Sequence, residues 1–373
     1  MKRSLVLTGF VLSLSVAACG GDDSSSYTGP EVPQAVAVSG DFNMTGLMSK
    51  LDLTTMEVAQ NVGGAGTVAG DPVMRRIGDR VYVINRNGGN NVTVFDATTL
   101  TFVDQFGTGE GTNPQDVAQV GDNLYVPMFN VGGVVKINTK TGTTATIDMS
   151  SVGDPDGNPD CISAIAVGTK VYVACSVLDE TYTPRGNGVV AVIDTAKDTV
   201  ATTVMLPTPN PYNFMVRQED VFGGDILIPM LPSFNDFSTG CVARLSTGSS
   251  PTASCITGLS NAALVGTVIH LDIAADGKKL WLAVGTVDAE FKNPTGTLKS
   301  YDIAGGAIKA VSAPAQMIQD VATCADGSVV VSDGTFTSSG LRVYKDGVET
   351  TSAPLAIGLT PTFGNALICY GGP

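Results

Sequence analysis

Histidine is almost absent from this chain: His270 is the only one in 373 residues. Zinc catalysis commonly takes two or three histidines, so that chemistry is set aside. Charge is also scarce, at 15% of residues, and basic groups are the rarer sign, 21 against 35 acidic for a formal charge of −14. Such a surface repels phosphate backbones, which excludes nucleic acid as a partner. No segment after residue 30 keeps a 3.6-residue apolar period, which excludes a helical bundle. No serine-hydrolase elbow, phosphate loop or haem-attachment CxxCH is present, so no catalytic residue is assigned. The stretch "RNGGNN", Arg86 to Asn91, has neither the lysine nor the strand-to-helix setting of a phosphate loop.

What the chain has in quantity is glycine, 44 residues, with 19 prolines and many Val and Thr in short runs, the composition of turn-rich β structure. At its start, Lys2 and Arg3 precede an apolar run from Leu5 to Val16 that is too short to span a bilayer and reads as a secretion signal. The sequence then reads "SVAAC", which resembles the lipobox of bacterial lipoproteins, in which the cysteine is lipidated and becomes the mature N-terminus. The resemblance implies a signal peptide over residues 1–18, a lipid (palmitate among its chains) on Cys19, and a polar tether over 19–34. An ordinary signal peptide that happens to contain a cysteine is the alternative. Residue 20 is Gly and not Asp, so the enteric inner-membrane retention signal is missing; by analogy the chain is exported and anchored to the cell envelope at the outer membrane. Loss of Lys2 and Arg3 leaves the mature chain more acidic still.

From residue 35 to 373 one pattern recurs: a short strand, a tight Gly/Asp turn, a "YV"-like strand, a Gly-containing loop and two more strands. Its clearest copy runs from Pro114 to Met149, and six copies follow one another at periods of roughly 42 to 58 residues, the repeat length of four-stranded propeller blades. Tyr82, Tyr125, Tyr172, Leu227, Trp281 and Val330 occupy one aligned position in the second strands. Before the first copy lies a unit short of its innermost strand, and after the last comes an orphan strand, "LTPTFGNALICY". Joined, they complete a seventh blade and remove the open sheet edge. The expected fold is therefore all-β, a seven-bladed β-propeller of four-stranded antiparallel blades closed by pairing of the N- and C-terminal strands. The repeats resemble the YVTN/NHL-like propeller family, above all "NGVVAVIDTAKDTVATTV" and "DNLYVPMFN". That family includes surface proteins, binding scaffolds and lactonase-like enzymes, so the resemblance implies architecture more than chemistry.

Besides Cys19 there are six cysteines, an even number for an oxidising compartment. Cys161 and Cys175 flank the "VGTK" turn symmetrically, and Cys241 and Cys255 are symmetric about Gly248. Cys324 in the last full blade and Cys369 in the orphan strand should be neighbours around the axis and clamp the ring. Buried free thiols are the alternative.

The turns between first and second strands are short, "IGDR", "VGDN", "VGTK", whereas blades four to seven carry long loops between second and third strands. These bring Tyr182, Phe234, Phe237, Phe291 and Phe336 to one face, where binding is expected, with loop drift as the alternative. His270 begins the inner strand of the sixth blade and should lie at the channel mouth on that face. The motifs "QDVA", "LDIA" and "QDVA" should set Asp116, Asp272 and Asp320 at similar height around the axis. These carboxylates are cation or substrate ligands with His270, or else strand-entry groups bonding backbone amides. In "GDPDGNPDC", the alternating Asp154, Asp156, Asn158 and Asp160 suit Ca²⁺, or else form a solvated loop; the fold requires no cofactor. The expected function is a lipid-anchored binding scaffold for an envelope protein or small ligand. The alternatives are a lactonase or metal-dependent hydrolase centred on the channel mouth, and a purely structural envelope component.

Overall fold

The computed structural model describes residues 30–233, 237–286, 294–313 and 316–372. The signal peptide, Cys19, Phe234 and Phe291 lie outside the described residues. Seven antiparallel sheets form a ring of blades, numbered here from the N-terminus. Blade 1 joins the two ends of the chain: Leu367–Tyr370 is its innermost strand, followed outward by Gln34–Gly40, Gly46–Asp52 and Val58–Ala59. The joint is a register of four pairs from Gln34↔Tyr370 to Ala37↔Leu367. The first strand thus starts at Gln34, one residue before the boundary expected from the repeat. Blades 2, 3, 4, 6 and 7 are continuous four-stranded units beginning at Pro72, Ala118, Cys161, Thr267 and Ile318.

Blade 5 departs from the pattern. Its outer strands, Ile226–Pro229, Cys241–Leu245 and Ala253–Ser260, are regular, but its inner segment is reduced to two isolated bridges, Pro211↔Met230 and Val216↔Leu227. The reason is local. Pro211 has no N–H to give to a ladder, and Asn210 and Asn213 sit at φ 51° and 60°, where an extended run cannot continue.

The short first turns explain themselves. Ile77↔Arg80, Val120↔Asn123 and Val167↔Lys170 close two-residue hairpins whose first central residue is Gly78, Gly121 or Gly168, at φ 56°, 57° and 58°. Glycine at that place with φ above zero is what the strand-matching type II′ turn requires. The strands themselves place Val, Ile, Leu and Tyr on both sheet faces, because each blade is covered by a neighbour on both sides. The buried apolar residues accordingly fall into seven clusters, each filling the cleft between two adjacent blades; one, for instance, joins Tyr82 and Ile84 of blade 2 to Leu124 and Val126 of blade 3.

All six cysteines outside the N-terminal segment are paired, Cys161–Cys175, Cys241–Cys255 and Cys324–Cys369. The first pair stands in direct register, while Cys255 faces Ala243 because the register shifts between Cys241 and Ala243. Three disulfides are the chemistry of a chain exported to an oxidising compartment. No helix among the described residues is long and apolar enough to cross a membrane.

Cys324–Cys369 ties blade 7 to the inner strand of blade 1 across 45 residues of sequence, a loop whose closure entropy amounts to about 4 kcal/mol. Replacing both by serine is expected to lower the unfolding free energy by up to that amount in denaturant melts. Thiol titration of the unfolded, unreduced protein should find none of the six reactive; six reactive thiols would overturn all three pairs.

Candidate functional site

The inner strands surround a channel that side chains divide into two chambers. Phe214 and Asn365 line both and form the floor between them. Asn365 Nδ2 donates to Asn213 Oδ1 at 3.2 Å, its Oδ1 accepts from Phe214 N at 3.3 Å, and Asn213 Nδ2 donates to the Ile269 carbonyl at 2.5 Å. The floor amides are therefore occupied with holding the partition. One chamber, of about 280 Å³, is lined by the later residues of the inner strands and lies toward the short turns; the other, of about 350 Å³, is lined by their beginnings and by the loops of the opposite face.

Around the axis runs a belt of polar contacts that explains the repeated aspartates. In blades 4, 6 and 7 the inner strand shifts register just before Ser163, His270 and Asp320. Such a bulge leaves an N–H without its ladder partner and re-aims a side chain. In blade 4 the vacancy is filled from the preceding blade, and similar bonds cross two other blade boundaries. Asp116 of blade 3 accepts from Ser163 Oγ at 2.7 Å and Ala164 N at 2.9 Å, Ser163 Oγ accepts from Met215 N at 2.9 Å, and Asp320 accepts from Ala366 N at 2.5 Å. Each aspartate also accepts from its own following residue, Val117 N or Val321 N. Asp116 is neutralised by Arg75, two guanidinium nitrogens lying 2.7 and 2.6 Å from its two oxygens.

Asp272 is not the third member of this set. Ala118 pairs with Tyr125 and Ala322 with Val330, but it is Asp272 itself that pairs with the aligned Trp281. It therefore stands two residues further along its strand than Asp116 and Asp320, and His270 occupies the equivalent place in blade 6. The similarity of "LDIA" to "QDVA" sits at a different register, so the three aspartates do not share a height. Asp272 braces blades 6 and 7 in its own way, accepting from Thr323 N at 2.7 Å and Thr323 Oγ1 at 2.8 Å.

His270 is the fourth residue of Thr267–Ile273, and it lines the chamber toward the short turns, away from the long-loop face. Its Nδ1 contacts Asp320 Oδ1. Burial by itself would lower its pKa, but the Asp320 carboxylate outweighs that, Asp272 adds to it, Arg75 opposes it, and the net shift is upward. Burial holds the Asp272 carboxyl above its ordinary range.

On the long-loop face, Tyr182 and Phe237 line two neighbouring cavities, whereas Phe336 is 89% exposed and lines neither. Sequence reasoning missed the residues that unite them. Tyr212 and Phe363 line both, and Phe129 of blade 3 lies parallel to Tyr182, with ring centres 6.4 Å apart. Their signal was aromatic residues directly before an inner strand, in "PYNF" and "TPTFGN". A basic signal was also missed: Arg75 and Arg76 stand in an inner strand of an acidic chain, in "VMRRIG".

The loop 154–160 spends its oxygens locally. Arg185 bridges Asp154 at 3.5 Å and Asp156 at 3.2 Å, Asp160 accepts from Leu178 N at 2.8 Å, and Asn158 Nδ2 donates to the Phe129 carbonyl at 2.9 Å. Burial, with Asp154 and Asp156 nearby, pushes the Asp160 carboxyl up to about 6. Among the described residues no three acidic, His or Cys side chains converge on one point that would hold a metal ion.

No protein-family profile and no curated protein sequence matches this chain. Solved propellers do resemble it. A candidate 6-phosphogluconolactonase from Bacteroides fragilis, 12% identical, superimposes with a TM-score of 0.61, covering 91% of this chain and 98% of its own. A second, from Bacteroides uniformis, is 10% identical with a TM-score of 0.60 over 91% and 99%. The β-propeller domain of Cps50 (Swd1) from Myceliophteria thermophila, 10% identical, gives 0.56 over 81% and 90%. At such identities the likeness shows the fold alone.

Two outcomes follow from the polar belt. Asp116→Ala leaves the Arg75 guanidinium and the Ala164 N–H buried without their acceptor, and is expected to cost about 3–5 kcal/mol in chemical denaturation. Because the folded pKa of His270 lies above its unfolded value near 6.5, its contribution is complete below that value and is lost as pH rises through the folded pKa. Unfolding free energy should therefore fall with rising pH above about 6.5, and His270→Gln should flatten that slope; an unchanged slope would exclude the His270–Asp320 pair as its source.

Proposed function

We propose that this propeller is a binding scaffold that holds a ligand on its long-loop face and does not transform it. The observation that carries the reading is the pair of adjoining cavities walled by Phe129, Tyr182, Tyr212, Phe237 and Phe363. They measure about 350 and 240 Å³. Tyr182 is 63% exposed and at φ 59°, a conformation that costs a bulky residue free energy. The Asp179 side chain secures that turn through Thr181 N at 2.8 Å and Thr183 N at 3.0 Å, which keeps the ring presented at the rim. The walls are aromatic and the polar lining is mostly amide and hydroxyl, with Arg86 balanced by Asp71 at 2.6 Å. That combination suits an uncharged ligand with one flat apolar face.

The hydrolase reading has less support. Asp116 and Asp320 are fully buried and already accept from neighbouring blades, so neither is poised to move a proton. What favours it is that His270 and Asp272 line one chamber together.

Anchoring through a lipid on Cys19, at the outer membrane, belongs to the same proposal, as does descent from the YVTN/NHL-like propellers. Gln34 pairs with Tyr370 at the far end of the innermost strand, so the chain enters the ring on the short-turn side. A tether leaving there would turn the aromatic face away from the membrane, where a ligand can reach it.

Incubation of the full-length protein with envelope extract, followed by washing and mass spectrometry of retained small molecules and proteins, tests the location. Tyr182→Ala and Phe363→Ala should each reduce the retained species by about tenfold or more while the near-ultraviolet dichroism stays native. Undiminished retention in both variants would move the site elsewhere.

A further inference from the structure

The negative charge of the long-loop face is concentrated on one arc. Above the polar belt, the described residues of the loops that open onto this face include nine acids and two arginines. The arginines are spent on three of those acids, Arg86 on Asp71 and Arg185 on Asp154 and Asp156, and Asp160 is buried. Asp41, Glu110, Asp148, Asp179 and Glu180 stand at the surface, and among the described residues no basic side chain lies within ion-pair distance of any of them. All five belong to blades 1 to 4 or to the links between those blades, while the described loop residues of blades 5 to 7 on this face carry no charge. The opposite face mixes the signs: Asp79 pairs with Arg80, Asp122 with Lys140 and Asp276 with Lys278, beside the unpaired Glu219 and Asp220.

Apolar side chains are set among these acids by one device used twice. In blade 1, Asp41 Oδ1 accepts from Asn43 N and Thr45 N, both at 2.9 Å, and Asp41 N donates to the Thr45 carbonyl at 3.0 Å. In blade 4, Asp179 Oδ1 accepts from Thr181 N and Thr183 N in the same way, and Asp179 N donates to the Thr183 carbonyl at 2.9 Å. Each turn holds an exposed aromatic residue in the left-handed region, Phe42 at φ 55° and Tyr182 at φ 59°. That conformation costs a bulky residue free energy, and the aspartate holds it in place. Met44 in the first turn is 80% exposed. Exposed Phe, Tyr and Met are the side chains enriched where proteins meet, and here each pair of turn bonds presents one beside a carboxylate.

We propose that this face captures a basic stretch of a partner polypeptide. One aromatic side chain of the partner fills the cavity beside Tyr182, and its lysines or arginines lie along the acidic arc of blades 1 to 4. This partner presupposes the binding face proposed above and identifies the flat apolar group as a side chain. The cavity of about 350 Å³ admits a side chain and not a folded segment, so the partner's main chain stays at the rim, within reach of Asp179 and Glu180. Surface carboxylates are ionised at neutral pH, and they repel both an anionic membrane and the same face of a second copy.

Isothermal titration of the full-length protein with a synthetic nonapeptide, one central phenylalanine among four lysines, provides the test. Saturable heat is expected, with an affinity that falls as salt rises from about 0.05 to about 0.3 M. Alanine in place of the peptide's phenylalanine should weaken binding about tenfold or more, and glutamates in place of its lysines should abolish it. In the protein, Glu110→Gln combined with Glu180→Gln removes two carboxylates that hold no turn, and should weaken binding by about threefold or more. Glu219→Gln, on the opposite face, should leave it unchanged. Equal binding of a peptide with serines for lysines, or equal loss in Glu219→Gln, would overturn the assignment. So would absence of saturable heat. If envelope species are still retained through Tyr182 and Phe363 in that case, the binding face stands and only this class of partner falls; if they are not, both fall.

Discussion

Everything in this molecule depends on the antiparallel joint between Leu367–Tyr370 and Gln34–Gly40. An unclosed blade would expose a row of backbone N–H and C=O groups and an apolar face, a template for pairing with other chains that the joint removes. The joint spans four residue pairs, and the Cys324–Cys369 bond stands beside it as a covalent reinforcement. Once the ring is shut, each blade finds a neighbour on both sides, which is why the strands are apolar on both faces and the core divides into seven inter-blade clusters.

Closure creates a second problem at the axis. Seven inner strands crowd toward one line, and several of them bulge, so backbone N–H groups turn away from their own sheet. The chain meets this with carboxylates and a hydroxyl reaching across to the next blade: Asp116 to Ala164, Ser163 to Met215, Asp320 to Ala366. A buried carboxylate is tolerable only when it is paired and fully hydrogen-bonded, and both aspartates are, one by Arg75 and the other by His270. The residues that most invite a catalytic reading are thus committed to assembly. What remains for ligands is the space above and below the Phe214–Asn365 partition, aromatic on one side and arginine-lined on the other.

Much of the fold was legible along the chain because it is written in local periodicities. Strand, glycine turn and "YV" strand repeat, and the incomplete first unit together with the orphan strand at the end announces circular closure. Cys161–Cys175 and Cys241–Cys255 were legible for the same reason, since residues placed symmetrically about a hairpin turn come close, whereas Cys324–Cys369 followed from the expected closure of the ring. Blade 5 was less so, since it is in the folded ring that Pro211 and the left-handed Asn213 break its inner strand into two bridges.

The candidate sites were legible to a smaller degree. By itself the sequence determined the class of fold, the two hairpin cysteine pairs and the face carrying long loops, which depend on spacing within one or two neighbouring strands, and, through the incomplete units at its two ends, the Cys324–Cys369 clamp. Only the tertiary structure decided that "LDIA" runs two residues out of step with "QDVA", that His270 pairs with Asp320 on the short-turn side, and that Phe129, Tyr212 and Phe363 meet. Only it gathered Arg75 and Arg76 with Arg217, more than 140 residues away, around one chamber. The physical reason is that register and cavity are set by contacts between blades, and those contacts exist only after the two ends of the chain have joined.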